Sequence, residues 1–433
     1  MPTDTDQHRD PLPSDPLPAP SSRRAGAHAR PTRWGRRRQQ VQRRKAAIAA
    51  RPSWVGRHPR LVVLLALLVL LTPVWWSLGT ALTNSGNGPL GSRFTEWVRD
   101  HGGASLVTEV ENVWYSWHQP AKGGKPPKGA IPPPPVSTTS TVPPPVVVPH
   151  LAAPAPIPPF ANPPVAGEGL WHPVGRTVHG MPAVYEAYMR PDPVHTSVVV
   201  GVAWMDTTLL QATQYSGSYI PGGTDWKNTA PVTPTAAQSL VVGFNSGFRM
   251  KDALGGYYAE GKTVVPLVDG AATFVVYANG TATVGQWGRD LSLTPDVVSA
   301  RQNLHLLVDG GKPVSGLSSS DASLWGATLG GAAYVWRSGF GVTADGALVY
   351  VGGPNLNITT LADVLARAGA VRAMEGDINT TWVNLSVYSP SDPLGAATAA
   401  NGATLQPDMS GGPGRWFTGW TRDFVTLSAR PDS

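Results

Sequence analysis

The stretch that decides the fold is "ALVYVGGPNLNITTLADVLARAGAVRAMEGD", Ala347–Asp377. It opens with ALVYVGG, an apolar run that follows the Asp345-Gly346 pair, as a strand leaving a tight turn would. In TLADVLARAGAV the period changes: Leu361, Val364, Leu365 and Ala368 recur at helical spacing, Thr360 stands as N-cap with Asp363 three residues on, and Gly369 supplies the stop. VRAME then resumes an extended pattern. Strand, helix and strand predict a compact β-α-β segment.

Outward from this segment, "HTSVVVGVAW" reads as a buried strand and "TPTAAQSLVVGFNSGF" as a short helix and a strand that delivers Asn245. Glu260-Gly261, Asp269-Gly270, Asn279-Gly280, Asp309-Gly310 and Asp345-Gly346 separate apolar runs, and such pairs supply the positive φ of hairpin turns. The expected fold is α+β: a mixed sheet with hairpins and a β-α-β segment, occupying residues 167–433.

The residues before 167 have a different character. Residues 119–166 are rich in proline, with lysine, glycine and threonine, which favours polyproline II and predicts a semi-rigid spacer on the order of 100 Å long. Residues 83–118 predict short helices broken at Gly102-Gly103, lying on a membrane leaflet or forming a dimer contact. Leu61–Leu82 carries no charge over 22 residues, enough to span a hydrocarbon layer as a transmembrane helix. A typical signal-peptide core is shorter, about 7–15 residues. Residues 1–60 are polar and arginine-rich and predict a disordered tail.

The net charge of +6 belongs to that tail. Residues 1–60 hold 14 Lys and Arg against four Asp, which leaves 20 basic and 24 acidic residues for the remainder. A nucleic-acid partner for the globular domain is therefore not expected. The basic cluster beside the apolar run instead predicts a cytoplasmic N-terminus, with everything beyond the span outside the cell membrane. With no cysteine in the chain, disulfides, thiolate metal sites and a cysteine nucleophile are excluded.

Three clusters could carry chemistry. In AMEGDINTTW, period-two alternation extended past the strand directs Glu375 and Asp377 to one side, and two carboxylates so close push one pKa upward, giving an acid and a base. The competing reading is a turn capped by Asp377 and Asn379. In GFNSGFRM, Asn245 and the backbone beyond it could meet an oxyanion, with Arg249 in reach of the same ligand, although N-S-G is also an ordinary turn. In YVWRSGFGV, Arg337 interrupts an apolar strand and needs an anion, either a structural carboxylate or a bound phosphate. Arg422-Asp423 reads equally as an ion pair or as cleft lining.

The order of these motifs resembles the phosphodiester glycosidase family. Asn245, Gly247 and Phe248 match its N-G-G-F-F motif; Arg337, Gly341, Asp345 and Gly346 its R-T-A-I-G-x-x-x-D-G strand; Gly369, Ala370, Ala373 and Asp377 its G-A-x-x-A-L-N-L-D-G-G-G-S segment. The family's glycines after the aspartate are Ile378-Asn379-Thr380 here, and its asparagine two places earlier is Glu375.

What the resemblance implies is a membrane-tethered extracytoplasmic hydrolase of a glycosyl phosphodiester, a sugar-phosphate or an envelope glycopolymer. Asp377 would be base or nucleophile with Glu375 as its partner, Arg337 and Arg249 would bind phosphate, and Asn245 and Asn379 would contact the substrate. The altered glycine loop supports a second expectation, a catalytically inactive glycopolymer-binding or scaffold module. No cofactor is required; a divalent cation held by Glu375, Asp377 and Asn379 is a third reading.

Overall fold

The computed structural model describes residues 33–49, 57–83, 90–135, 149–317, 322–325, 334–392 and 394–431. The chain divides into two compact units, Met1–Pro73 and Val74–Ser433.

In the first unit, disorder was expected over residues 1–60; of these, Arg33–Ala49 forms a helix, while residues 1–32 and 50–56 lie outside the described residues. A second helix, Pro59–Thr83, begins in this unit and runs into the next. Its 25 residues include Pro73, none of them is buried, and it is long and apolar enough to cross a membrane. A helix of that length rises about 37 Å.

The second unit is built of antiparallel sheets and a few helices. One sheet has eight strands in the order His172–Val178, Met181–Met189, Val200–Met205, Leu348–Leu356, Val335–Thr343, Ala370–Glu375, Leu306–Asp309 and Lys312–Pro313. A second runs Gly402–Thr404, Leu385–Tyr388, Leu240–Asn245, Phe424–Ala429, Leu210–Tyr215. The third runs Lys262–Val265, Tyr257–Ala259, Val297–Gln302, Ala272–Tyr277, Ala282–Gln286. Side chains from all three meet in one core, including Phe244, Phe274, Phe340, Met374, Val425 and Leu427.

The opposite face of the large sheet is covered by the helix Ile358–Arg367, which buries Ile358, Leu361, Ala362, Val364 and Leu365. The β-α-β segment is therefore present, but Val335–Thr343 is inserted between its two parallel strands and pairs antiparallel with both. Glycine permits the close approach of the helix: a Cβ on Gly339 would sit 2.9 Å from Leu365 Cδ1. The helix starts earlier than expected, because Asn357 caps it and forms a reciprocal capping box with Thr360. Gly369 adopts φ +96° as its stop. Asn279-Gly280, Glu260-Gly261, Asp309-Gly310 and Asp345-Gly346 all join paired strands, whereas Asp269-Gly270 lies between Lys262–Val265 and Ala272–Tyr277, which do not pair with each other.

The described parts of the proline-rich segment do not stand off as a spacer; residues 136–148 lie outside the described residues. Gly123 N–H donates to Val194 O at 2.7 Å, Leu151 N–H to Asp206 Oδ2 at 2.8 Å, and Ile157 N–H to Gly169 O at 2.9 Å. Polyproline II makes no internal hydrogen bonds, so its main-chain groups are available to a neighbouring surface. Upstream, the helices Leu90–Val98 and Ala104–Trp117 are broken at Gly102, φ +91°, as expected, and their inner side lies on the globular residues.

Candidate functional site

Four chain segments deliver side chains to one region. Leu240–Asn245 ends there, Ala370–Glu375 ends two residues before Asp377, Ser338 lies within Val335–Thr343, and Arg422 precedes Phe424–Ala429. Pairing fixes their relation, since Phe424 sits opposite Asn245 and Gly339 opposite Glu375.

Asn245 and Asp377 come together through Ser338. Asn245 Nδ2 donates to Ser338 Oγ at 3.0 Å, and the same hydroxyl accepts Asp377 N–H at 2.9 Å. Asn245 Oδ1 accepts from Tyr350 Oη at 2.7 Å and from Asn384 N–H at 3.1 Å. Its amide is thus used inside the protein, and it braces the Asp377 loop where contact with a ligand was expected. Gly376 makes the crossing possible: a Cβ there would lie 2.5 Å from Ser338 Oγ.

Arg337 and Glu375 form a sealed pair. Neither is exposed, Arg337 Nη1 donates to Glu375 Oε1 at 2.5 Å, and Arg337 Nε donates to Leu356 O at 3.0 Å. Burial pushes the Glu375 carboxyl up to about 7, against the pull of Arg337. Arg337 pairs with a structural carboxylate, one of the two anions the sequence left open for it. The pair lies on the helix side of the strand, while Ser338, its neighbour, faces the other way.

Asp377 belongs to a different group. Past the end of its strand the alternation stops, so it does not share a side with Glu375; its Oδ2 accepts from Arg422 Nη1 at 2.9 Å and its Oδ1 from Asn379 N–H at 3.0 Å. Burial raises its carboxyl to about 6, Arg422 opposing and Glu96 adding to the rise. Arg422 Nη2 reaches Glu96 Oε2 at 2.9 Å, and Asn379 Nδ2 donates to Glu96 Oε1 at 3.2 Å. Burial alone would raise Glu96, but Arg422, Arg99 and Arg249 outweigh it and hold the carboxyl below its ordinary value. Beneath Arg422 lies Trp382, its ring 4.1 Å from the guanidinium carbon; Arg415 stands 4.6 Å from the same ring.

Asp377, Asn379, Arg249 and Arg422 line a cleft of about 900 Å³ between the globular residues and the two helices upstream. Arg99, Glu111, Trp114 and Tyr115 line it from the helices, and Phe248, Lys251 and Asp252 from the globular side. Arg249 donates to Asp252 Oδ2 at 2.6 Å and lies 3.5 Å from Asp100 Oδ1. Glu375, Asp377 and Asn379 do not converge as cation ligands, because each turns to a different partner; among the described residues no group of three His, Cys, Asp or Glu is placed to hold a metal ion.

Of the residues expected at the site, Asp377, Arg249 and Asn379 reach the cleft, while Asn245, Arg337 and Glu375 lie behind it. Arg422 lines the cleft, and Asp423, its neighbour, pairs with Arg301 at 2.8 Å. Ser338, Glu96, Trp382 and Arg415 were not expected. The signal for Ser338 was available, since both strand neighbours of Arg337 must face away from it. Nothing in sequence could join Glu96 to Arg422 across 326 positions.

No protein-family model and no curated protein matches the chain. Among solved structures, the chain is similar to the catalytic domain of zebrafish N-acetylglucosamine-1-phosphodiester alpha-N-acetylglucosaminidase, with 15% identity and a TM-score of 0.39 over 60% of this chain and 87% of that one. It is also similar to a hypothetical protein from Synechocystis, with 12% identity and a TM-score of 0.32 over 61% of this chain and 65% of that one. Likeness at this level assigns no chemistry to this chain.

Proposed function

We propose that the second unit is a hydrolase of glycosyl phosphodiesters, tethered by the apolar helix Pro59–Thr83 and acting outside the cell membrane on a sugar-1-phosphate linkage of an envelope glycopolymer. The observation that carries this reading is the placement of Asp377, a carboxylate raised to about 6, on the wall of a cleft that also presents Arg249, Arg99 and Lys251. The order of the motifs around it supports the same chemistry.

In this reading the cations meet the phosphate and Asp377 takes a proton from water as the water oxygen bonds to the anomeric carbon. The bond between that carbon and the phosphate oxygen breaks, and its electron pair leaves on the phosphate. A phosphate leaving group needs charge neutralisation more than protonation, which suits a cleft where Arg249, Arg99 and Lys251 stand with Asp377. Asn245 and Ser338 would hold the Asp377 loop, and Glu375 would take no part.

The test is release of free sugar from synthetic methyl glycosyl-1-phosphates by the full-length protein. Asp377→Asn should lower kcat by about 10²–10⁴-fold, the range of a general base. Unchanged turnover by that variant, or none by the wild type, overturns the assignment. One observation favours the second reading, a binding module without turnover: both carboxylate oxygens of Asp377 are already hydrogen-bonded. Glycopolymer binding without sugar release would establish it.

A further inference from the structure

Glu96 is only 4% exposed although it sits on a short helix outside the sheets. Its carboxylate receives Arg422 Nη2 at 2.9 Å, Asn379 Nδ2 at 3.2 Å and Arg99 Nη1 at 3.3 Å. Arg422 therefore spans two carboxylates, Asp377 through one terminal nitrogen and Glu96 through the other, with the Trp382 ring beneath it. A planar guanidinium gripped at both ends and stacked on one face has one orientation open to it.

We propose that the helical pair Leu90–Trp117 is a lasting wall of the ligand cleft and that Glu96 is a positioning residue, fixing Arg422 and Asn379 around Asp377. The proposal rests on reading this cleft as the site for a glycosyl phosphate. The space between the pair and the globular residues is about 900 Å³, within the range of about 300–1,000 Å³ usual for small-molecule sites. A segment docked to fill the site would leave no such volume beside Asp377. The pair also adds to what the globular side offers in Phe248, Arg249 and Lys251. Tyr115 and Trp114 give flat aromatic surface for the apolar face of a sugar ring, and Arg99, held by Glu96 and Glu111, adds a cation to those of Arg249 and Lys251. The ligand chemistry that matches both walls is a sugar bearing one phosphate.

The experiment uses the full-length protein in detergent micelles, with glucose 1-phosphate and inorganic phosphate as probes. Calorimetry should give tighter binding of glucose 1-phosphate, and hydrogen exchange in its presence should slow in residues 377–382 and in 90–117 together. Tyr115→Ala should weaken glucose 1-phosphate by about tenfold and leave phosphate unchanged. Glu96→Ala should lower kcat by about tenfold or more with little change in KM, and Glu96→Gln, which keeps the hydrogen-bonding shape, should recover most of that loss.

Faster exchange in 90–117 on binding, or higher turnover by Glu96→Ala, would make the pair a competitor of the ligand and overturn the proposal. So would a Tyr115→Ala variant that binds as the wild type does. If the wild type binds glucose 1-phosphate without hydrolysing a methyl glycosyl phosphate, the hydrolase reading fails alone, and exchange with Tyr115→Ala still decides the wall. Failure to bind either probe ends both. Should Glu96→Ala not fold, Tyr115→Ala and the exchange data decide.

Discussion

Ser338 holds Asp377 by both of its main-chain groups: the Ser338 hydroxyl accepts Asp377 N–H at 2.9 Å, and Ser338 N–H donates to Asp377 O at 2.9 Å. The strand Val335–Thr343 thus continues to grip the chain after the Ala370–Glu375 strand has ended. Replacing Ser338 by Ala removes the acceptor and leaves the Asp377 N–H and the Asn245 amide buried without it. A loss of about 1–3 kcal/mol in urea unfolding is expected, the cost of an unsatisfied buried donor. An Ala variant as stable as the wild type would show that the hydroxyl is dispensable.

Gly376→Ala should reverse the usual sign of a glycine replacement. Where the backbone permits alanine, the change commonly stabilises by about 0.4–1 kcal/mol through the unfolded chain. Here the new Cβ would meet Ser338 Oγ at 2.5 Å and Asn245 Nδ2 at 3.1 Å. Overpacking of this kind costs about 1–3 kcal/mol, so denaturation should show a less stable protein.

Arg337 and Glu375 should matter to stability and little to turnover. Arg337→Leu leaves the buried carboxylate without its guanidinium, and breaking such a pair costs about 3–5 kcal/mol. Replacing both residues by Leu should recover much of the loss. A stable single variant with diminished kcat would instead mean that Arg337 acts on the ligand.

The pH dependence of stability has a definite sign at Asp377. Its folded carboxyl titrates near 6 and its ordinary value is 3.8, so the folded state binds the proton more tightly. Its contribution is fully present below about pH 4 and is lost as pH rises through 6. Between pH 5 and pH 8 the loss amounts to about 1.5 kcal/mol. Asp377→Asn removes this titration, so the stability of the variant relative to the wild type should improve by that amount from pH 5 to pH 8. Equal differences at both pH values would place the carboxyl near its ordinary range.

What the sequence revealed and what it hid divide along chain distance. The helix Ile358–Arg367 was legible because its period, cap and glycine stop lie within one short stretch. The insertion of Val335–Thr343 between the flanking strands was not, since antiparallel pairing leaves no mark on composition. Arg337 drew notice as a charge in an apolar strand, yet the sheet turns it toward Glu375 and presents its quiet neighbour Ser338 to the Asp377 loop. The described proline-rich residues read as a spacer because composition alone does not tell an extended segment in solvent from one that lies against a surface.

Phe424–Ala429 follows every other strand of the three sheets in the chain, yet it takes an interior place between Leu240–Asn245 and Leu210–Tyr215. During synthesis, the position between those strands is vacant until this last ribbon emerges, and Asp377 lacks its ion-pair partner until Arg422 arrives with it. Maturation of the site is therefore tied to translation of the final strand. A chain stopped short of residue 420 would expose two unpaired β edges and leave Asp377 without its ion pair to Arg422.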